Sequence, residues 1–291
     1  MAAAAAFDSQ FADLMGFSPF CWQKRLFQRF LDGDAPDGLD LPTGLGKTSV
    51  MAVWYLALKA GAKLPRRLVY VVDRRAVVDQ ATTEAEKIKA KHANLRISTL
   101  RGQHADNRDW LEDPAAPAII VGTVDMIGSR LLFSGYGVSR KLRPYQAGLL
   151  GADTLLVLDE SHLVPPFEEL LRSIAGDDGA FGPGNGEHRK TIPPFRLLSL
   201  SATGRKRDGQ VFRLREDDRA DELVRRRLEA RKFATAVAAS GRKLDIALAE
   251  EAWNLAEQAD HPIRCLVYCF FRDVAKMVRE ALDGLAMRGK M

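Results

Sequence analysis

The run Leu41-Pro42-Thr43-Gly44-Leu45-Gly46-Lys47-Thr48 ends in Gly-Lys-Thr and opens directly onto an apolar segment of helical period, Ser49 to Ala60. Phosphate binding is the chemistry this order suits. Glycines at 44 and 46 let backbone N–H groups curl around phosphate oxygens, and the N-terminus of the following helix adds its dipole. Thr43, Gly44, Leu45, Gly46, Lys47 and Thr48 are therefore candidate ATP ligands. The Lys47 ammonium would meet the β- and γ-phosphates, and the Thr48 hydroxyl would ligate Mg²⁺. The strict form of this loop has glycine where Leu41 stands, so taken alone the run also fits a structural turn.

A carboxylate motif narrows that choice. Asp159-Glu160-Ser161-His162 follows directly on the continuously apolar Leu155-Leu156-Val157-Leu158. At the end of a buried strand, Asp159 would hold Mg²⁺ through water, and Glu160 would orient and deprotonate an attacking water. Lys47, Asp159, Glu160 and His162 form the candidate catalytic set, with Thr48 and Asp159 on the metal. A lone histidine is usually packed or exposed without a task, but the place of His162 in this order favours coupling. Ser201-Ala202-Thr203, again after an apolar run, offers the hydroxyls of Ser201 and Thr203 as partners for that histidine and the carboxylates. Upstream, Gln23 lies in Pro19-Phe20-Cys21-Trp22-Gln23, and a glutamine amide makes paired hydrogen bonds to the N6 and N7 edge of adenine. Gln23 reads either as the adenine-recognising residue or as a surface glutamine on an amphipathic helix whose core positions are Phe20, Leu26, Phe27 and Phe30.

Three further segments carry donors suited to a nucleic-acid backbone: Asp73-Arg74-Arg75 with Gln80, Thr99-Leu100-Arg101-Gly102, and Gly122-Thr123-Val124-Asp125. Arg74, Arg75, Gln80, Arg101, Gly102 and Thr123 are the candidate contacts. An arginine on a solvated loop is the bland alternative for each, and only their shared position after successive strands gives them weight. Arg205-Lys206-Arg207 and Arg225-Arg226-Arg227 read as solvated surface, since nothing in the sequence ties them to the site.

The elements that must position these residues are legible as short β-rich runs, each followed by a polar loop and a segment of helical period. The runs are Arg67 to Val72, Leu95 to Leu100, Ala118 to Val121, Thr154 to Leu158 and Arg196 to Ser201. This alternation predicts an α/β fold with a parallel sheet covered by helices. Ligands in such sheets bind beyond the carboxyl ends of the strands, where the motifs above fall. Residues 176–194 are rich in Gly, Asp and Pro and read as a surface excursion. Helical patterns run from Asp221 to Arg231 and from Leu244 to Ala259, and a strand from Arg264 to Phe270 with a helix from Arg272 to Leu285 suggests a second α/β unit beginning.

The 291 residues, 46% hydrophobic and 28% charged, can bury a sizeable core. The net charge of +5 leaves a mixed surface that permits nucleic-acid binding without demanding it. Three cysteines, Cys21, Cys265 and Cys269, fit neither a disulfide framework nor a four-ligand zinc site, which favours a reducing, cytoplasmic setting. No apolar stretch approaches the roughly 20 residues of a membrane span.

Taken in order, Gln23, the loop ending at Thr48, Asp159-Glu160-Ser161-His162 and Ser201-Ala202-Thr203 resemble the first lobe of superfamily 2 DExH-box helicases. In that family the first glycine of the loop is commonly absent, so Leu41 is no objection. The segments from Val71 to Gln80 and from Leu158 to Phe167 are more particular, and resemble the helicase–nuclease of type I CRISPR interference, in its I-G (formerly I-U) branch. Arg225 to Lys232 and Cys265 to Tyr268 are similar to that branch's inter-lobe and second-lobe segments. The resemblance implies a RecA-like P-loop NTPase lobe over residues 1–208, then an inter-lobe segment and the start of a second RecA-like lobe over 209–291. It further implies ATP-driven movement on single-stranded DNA, recruitment by a guide-RNA surveillance complex in antiviral defence, an attached HD-type nuclease, and a prokaryotic, cytoplasmic, monomeric protein.

Two departures bear on that expectation. The sequence has no His-Asp dipeptide, its five histidines are scattered, and it lacks the arginine-rich motif with which a second lobe completes the ATP site. A fragment with an incomplete ATPase site is therefore expected, lacking the nuclease. The competing readings are a nucleotide- and nucleic-acid-binding module with little turnover, a DNA or RNA helicase outside CRISPR, and a P-loop kinase or signalling NTPase. RNA is the less expected strand.

Overall fold

The computed structural model describes residues 2–101, 104–105, 108–176, 193–202, 209–230, 234–239, 241–260 and 263–288. The chain divides into two compact units, Met1–Ala230 and Arg231–Met291. The first is built on an eight-stranded sheet comprising β1 (Gly38–Asp40), β2 (Arg67–Val72), β3 (Arg96–Arg101), β4 (His104–Ala105), β5 (Ala118–Thr123), β6 (Thr154–Leu158), β7 (Phe195–Ser201) and β8 (Val211–Arg213). Its order is β4-β3-β5-β2-β6-β7-β1-β8, parallel throughout except for β4, which runs antiparallel to β3.

Every residue of β2, β5 and β6 is buried, as continuous apolar runs in a doubly covered parallel sheet require. The two faces alternate along each strand. Leu68, Tyr70 and Val72 of β2, with Ile119, Val121, Leu155 and Val157, belong to one core cluster. Val69 and Val71, with Ile120, Leu156 and Leu158, belong to the other. The first face is covered by α1 (Ala2–Met15), α2 (Cys21–Leu31), α3 (Val50–Lys59) and α4 (Arg75–Lys91). The second is covered by α5 (Asp109–Glu112), α6 (Val124–Leu131), α7 (Arg143–Gly151) and α8 (Pro165–Ala175). Beyond β8 lie α9 (Glu216–Ala220) and α10 (Glu222–Leu228). The buried Asp218 of α9 pairs with Arg25 of α2, whose guanidinium also lies 4.4 Å from the Phe212 ring centroid.

The five predicted sheet runs all form. The structure adds β1, β4 and β8, too short and too mixed in composition to stand out in sequence. The predicted excursion at 176–194 falls almost wholly outside the described residues.

In the second unit, α11 (Leu244–Glu257) and α12 (Arg272–Arg288) pack on each other. The predicted strand Arg264–Phe270 does not form there: among the described residues nothing pairs with it, and Leu266, Tyr268 and Phe270 stand 73%, 84% and 97% exposed. A β-prone composition yields a strand only where a neighbour completes its ladder. No helix among the described residues is long and apolar enough to cross a membrane.

Candidate nucleotide-binding site

The loop after β1 is anchored to the end of β7. Leu41 is fully buried, and its N–H donates to the carbonyl of Ser201 at the end of β7, 3.1 Å away. Gly44 and Gly46 both adopt the left-handed backbone, at φ 83° and 72°. A Cβ added at Gly44 would meet nothing within 4 Å, and one at Gly46 only the Gln23 side chain at 3.8 Å. Their glycine identity therefore serves the turn, whose left-handed positions a side chain would strain. Lys47, Thr48 and Ser49 form a 3-10 turn that runs straight into α3.

Gln23 braces this loop from the side. It is completely buried, its Oε1 accepts the Phe20 N–H at 2.7 Å, and its Nε2 donates to Ser49 Oγ at 2.7 Å. Ser49 Oγ in turn donates to the carbonyl of Gly46 at 2.7 Å. The first of these bonds caps the N-terminus of α2; the other two tie that helix to the phosphate loop. Gln23 is thus not the surface glutamine of the bland reading. Each end of the amide has capacity for one more hydrogen bond, but neither faces solvent.

Across the loop, β6 delivers the carboxylates. Lys47, only 8% exposed, places Nζ 3.0 Å from Glu160 Oε1. Glu160 adopts the left-handed backbone at φ 44°, a conformation that costs a non-glycine residue about 1–3 kcal/mol. The Asp159 carboxylate is fixed at both oxygens: Oδ1 accepts the Glu160 N–H at 2.9 Å and Oδ2 accepts the Tyr70 hydroxyl at 2.7 Å. The Asp159 N–H donates to the Val71 carbonyl at 2.9 Å. Burial pushes the Asp159 carboxyl above the ordinary carboxylate range, outweighing the Tyr70 hydrogen bond and Lys47, which pull the other way. Burial, followed by the charge of Asp159, pushes the Tyr70 phenol well up. His162 Nδ1 lies 3.4 Å from Glu160 Oε2 with no hydrogen-bond geometry. Ser161 is buried and donates to the Leu200 carbonyl at 3.2 Å, so β6 and β7 are laced together beside the site.

These residues fit a magnesium nucleotide. The glycine turn has room for a close backbone approach, Lys47 supplies a cation, and Thr48 and Asp159 supply hard oxygen donors, the latter held by the Tyr70 phenol. Residues 17–205 match the family described as "Type III restriction enzyme, res subunit". The chain belongs to this family. The fold of this res-subunit member is RecA-like, similar to that of the DUF1998 helicase MrfA bound to DNA and AMPPNP. The TM-score is 0.58 at 14% identity, over 95% of this chain and 38% of that one. A second MrfA structure, bound to DNA, gives a TM-score of 0.47 at 17% identity, over 68% and 26%. The chain therefore spans well under half the length of the helicase it matches. No curated protein matches it.

In the res-subunit fold the candidate nucleic-acid contacts leave adjacent strands, β3, β5 and β2, at their carboxyl ends. Arg74 is highly exposed, with Asp73 3.8 Å away, and Arg75 and Gln80 are exposed on α4. Arg101 pairs with Asp79 of α4. Thr123 is buried and its hydroxyl accepts the Met126 N–H at 3.4 Å, so it caps α6. Gly102 and Thr203 lie outside the described residues, as do Arg205, Lys206 and Arg207, and the structure places Ser201 buried at the end of β7.

Two residues of the site were missed in sequence. Arg227, read as solvated surface, donates to the carbonyl of Gly44 within the phosphate loop, and its guanidinium lies 5.6 Å from the Phe20 ring centroid. A cluster of like charges gave no signal of that reach. Tyr70 passed as one more apolar strand residue. Its signal was a hydroxyl in a strand buried on both faces, which demands a polar partner nearby.

Proposed function

We propose that this chain is the nucleotide-binding lobe of an ATP-dependent motor that moves on single-stranded DNA. The observation that carries the reading is the meeting of Lys47 with Glu160 beneath the glycine turn, 3.0 Å apart, with Asp159 fixed beside them. Thr43 to Thr48 would hold the phosphates, and Thr48 and Asp159 the Mg²⁺, which when bound supplies charge neutralisation at the phosphate oxygens. Lys47 would exchange its carboxylate partner for phosphate, which frees Glu160 to accept a proton from water. The exposed Arg74 and Arg75, with Arg101, would meet the strand's phosphates.

Family membership and the likeness to a DNA-bound helicase support a nucleic-acid motor. The narrower place in type I CRISPR interference rests on the resemblance of residues 71–80 and 158–167 alone. The division into a first lobe over 1–208 and the start of a second over 209–291 belongs to the same proposal. A second reading has its own support: with 264–270 unpaired, this chain alone would bind nucleotide but turn it over slowly.

ATP hydrolysis and fluorescent-nucleotide binding, with and without single-stranded DNA or RNA, test both readings. Hydrolysis stimulated by DNA more than by RNA is expected of the motor, and Lys47→Ala should abolish it. Binding without hydrolysis favours the second reading. Nucleotide binding that Lys47→Ala leaves unchanged overturns the site itself.

A further inference from the structure

We infer that Tyr70 is a positioning residue of the magnesium–nucleotide site, its phenol holding the Asp159 carboxylate in one fixed arrangement. The inference rests on the nucleotide-site reading above. Tyr70 sits in the middle of β2, fully buried, and its sheet neighbours in register are Val121 on β5 and Val157 on β6. Both register neighbours are apolar and the ring belongs to the core cluster, so phenylalanine would keep its packing. The hydroxyl therefore has to be explained by what it bonds, because burying it without a partner costs stability. Its partner is a side chain whose oxygens would hold Mg²⁺: it donates to Asp159 Oδ2 at 2.7 Å.

The phenol reaches the carboxylate from the adjacent strand, since Asp159 follows β6, the strand paired with β2. It also completes the clamp on the carboxylate, whose other oxygen is taken by the Glu160 N–H at 2.9 Å. Mg²⁺ demands near-ideal octahedral geometry, so the angle at which its ligands are presented decides its affinity. Partners that orient a metal's ligands typically contribute about 10- to 100-fold to that affinity.

Tyr70→Phe removes the hydroxyl and keeps the ring. The test is binding of a fluorescent ATP analogue at rising Mg²⁺ and again in EDTA, for wild type, Tyr70→Phe, Asp159→Asn, the double variant and Lys47→Ala. Half-saturating Mg²⁺ should rise about 10-fold or more in Tyr70→Phe, with affinity in EDTA unchanged. In the Asp159→Asn background Tyr70→Phe should add little further loss, because the hydroxyl acts mainly through that carboxylate. An unchanged Mg²⁺ dependence overturns the inference, as does an equal loss of affinity with and without Mg²⁺, which marks a packing defect. Wild-type binding indifferent to Mg²⁺ overturns it too. If Lys47→Ala binds the analogue as wild type does, the nucleotide-site reading fails and takes the inference with it.

Discussion

Gln23→Ala separates two tasks for one side chain, because the structure gives the amide work to do before any nucleotide arrives. Truncation orphans the buried Phe20 N–H, at about 1–3 kcal/mol. It also removes a buried methylene, about 0.8 kcal/mol. Ser49 Oγ loses a donor but keeps its own bond to Gly46, so that term is small. The total is about 2–4 kcal/mol. For a unit the size of Met1–Ala230, each kcal/mol moves the unfolding midpoint by about 2–4 °C, so the nucleotide-free protein should melt about 4–16 °C lower. Calorimetry or circular dichroism without nucleotide reads this directly. Gln23→Met, which keeps most of the volume and neither hydrogen bond, should recover the packing part only. A midpoint within about 1 °C of wild type for Gln23→Ala, together with weakened ATP binding, would refute the bracing role and leave adenine recognition as its whole task.

Asp159→Asn should raise the unfolding midpoint at neutral pH, at the expense of Mg²⁺-dependent binding. The folded state holds the Asp159 proton more tightly than the unfolded state, so stability is lost as pH rises from the ordinary carboxylate range through the raised value. The advantage of the amide should vanish below that range; a variant less stable than wild type at neutral pH contradicts the burial argument. Arg227→Ala removes a cation from the mouth of the phosphate loop and should weaken ATP binding about 5-fold, from about 1 kcal/mol of Coulomb attraction at 4 Å in water. High salt should erase most of that difference, and equal affinities at low salt would remove Arg227 from the site. Gly46→Ala should cost about 1–2 kcal/mol of stability through its left-handed backbone alone, since the added Cβ has room. Denaturant titration measures it, and a neutral result would contradict the assigned turn.

What could be read from sequence was what is encoded locally. Leu155 to Leu158 is apolar at every position because the strand is covered on both faces, and Gly44, Gly46, Lys47 and Thr48 are consecutive enough to announce a phosphate loop. The rest depends on neighbours far away in the chain. Gly38-Leu39-Asp40 becomes a strand only because β7 and β8 pair with it on either side. The more β-prone run from 264 to 270 stays irregular because no described strand flanks it. The same rule held for the site. Asp159 and Glu160 were visible as a pair after a strand, whereas Gln23 and Tyr70 took their roles from Ser49, Phe20 and Asp159, and Arg227 from a carbonyl 183 residues away in sequence.

Strand order explains why these late-found residues cluster. The phosphate loop, Ser201 and Asp159 leave β1, β7 and β6 on one half of the sheet, while Arg74, Thr123 and Arg101 leave β2, β5 and β3 on the other. The halves join at the β2–β6 pair, and there the Asp159 N–H is bonded to the Val71 carbonyl and its carboxylate to the Tyr70 hydroxyl. In the proposed motor, then, the residue that would respond to the metal is fastened to β2 at two consecutive positions, and β2 runs on into Asp73 and Arg74. Both bonds are short and the strand is packed on both faces, so a shift of Asp159 has to be taken up by β2 or by breaking one of them. A sheet that places its nucleotide residues and its candidate strand contacts on opposite sides of one seam needs few residues to link them, and here the seam carries a buried phenol where packing alone would have put phenylalanine.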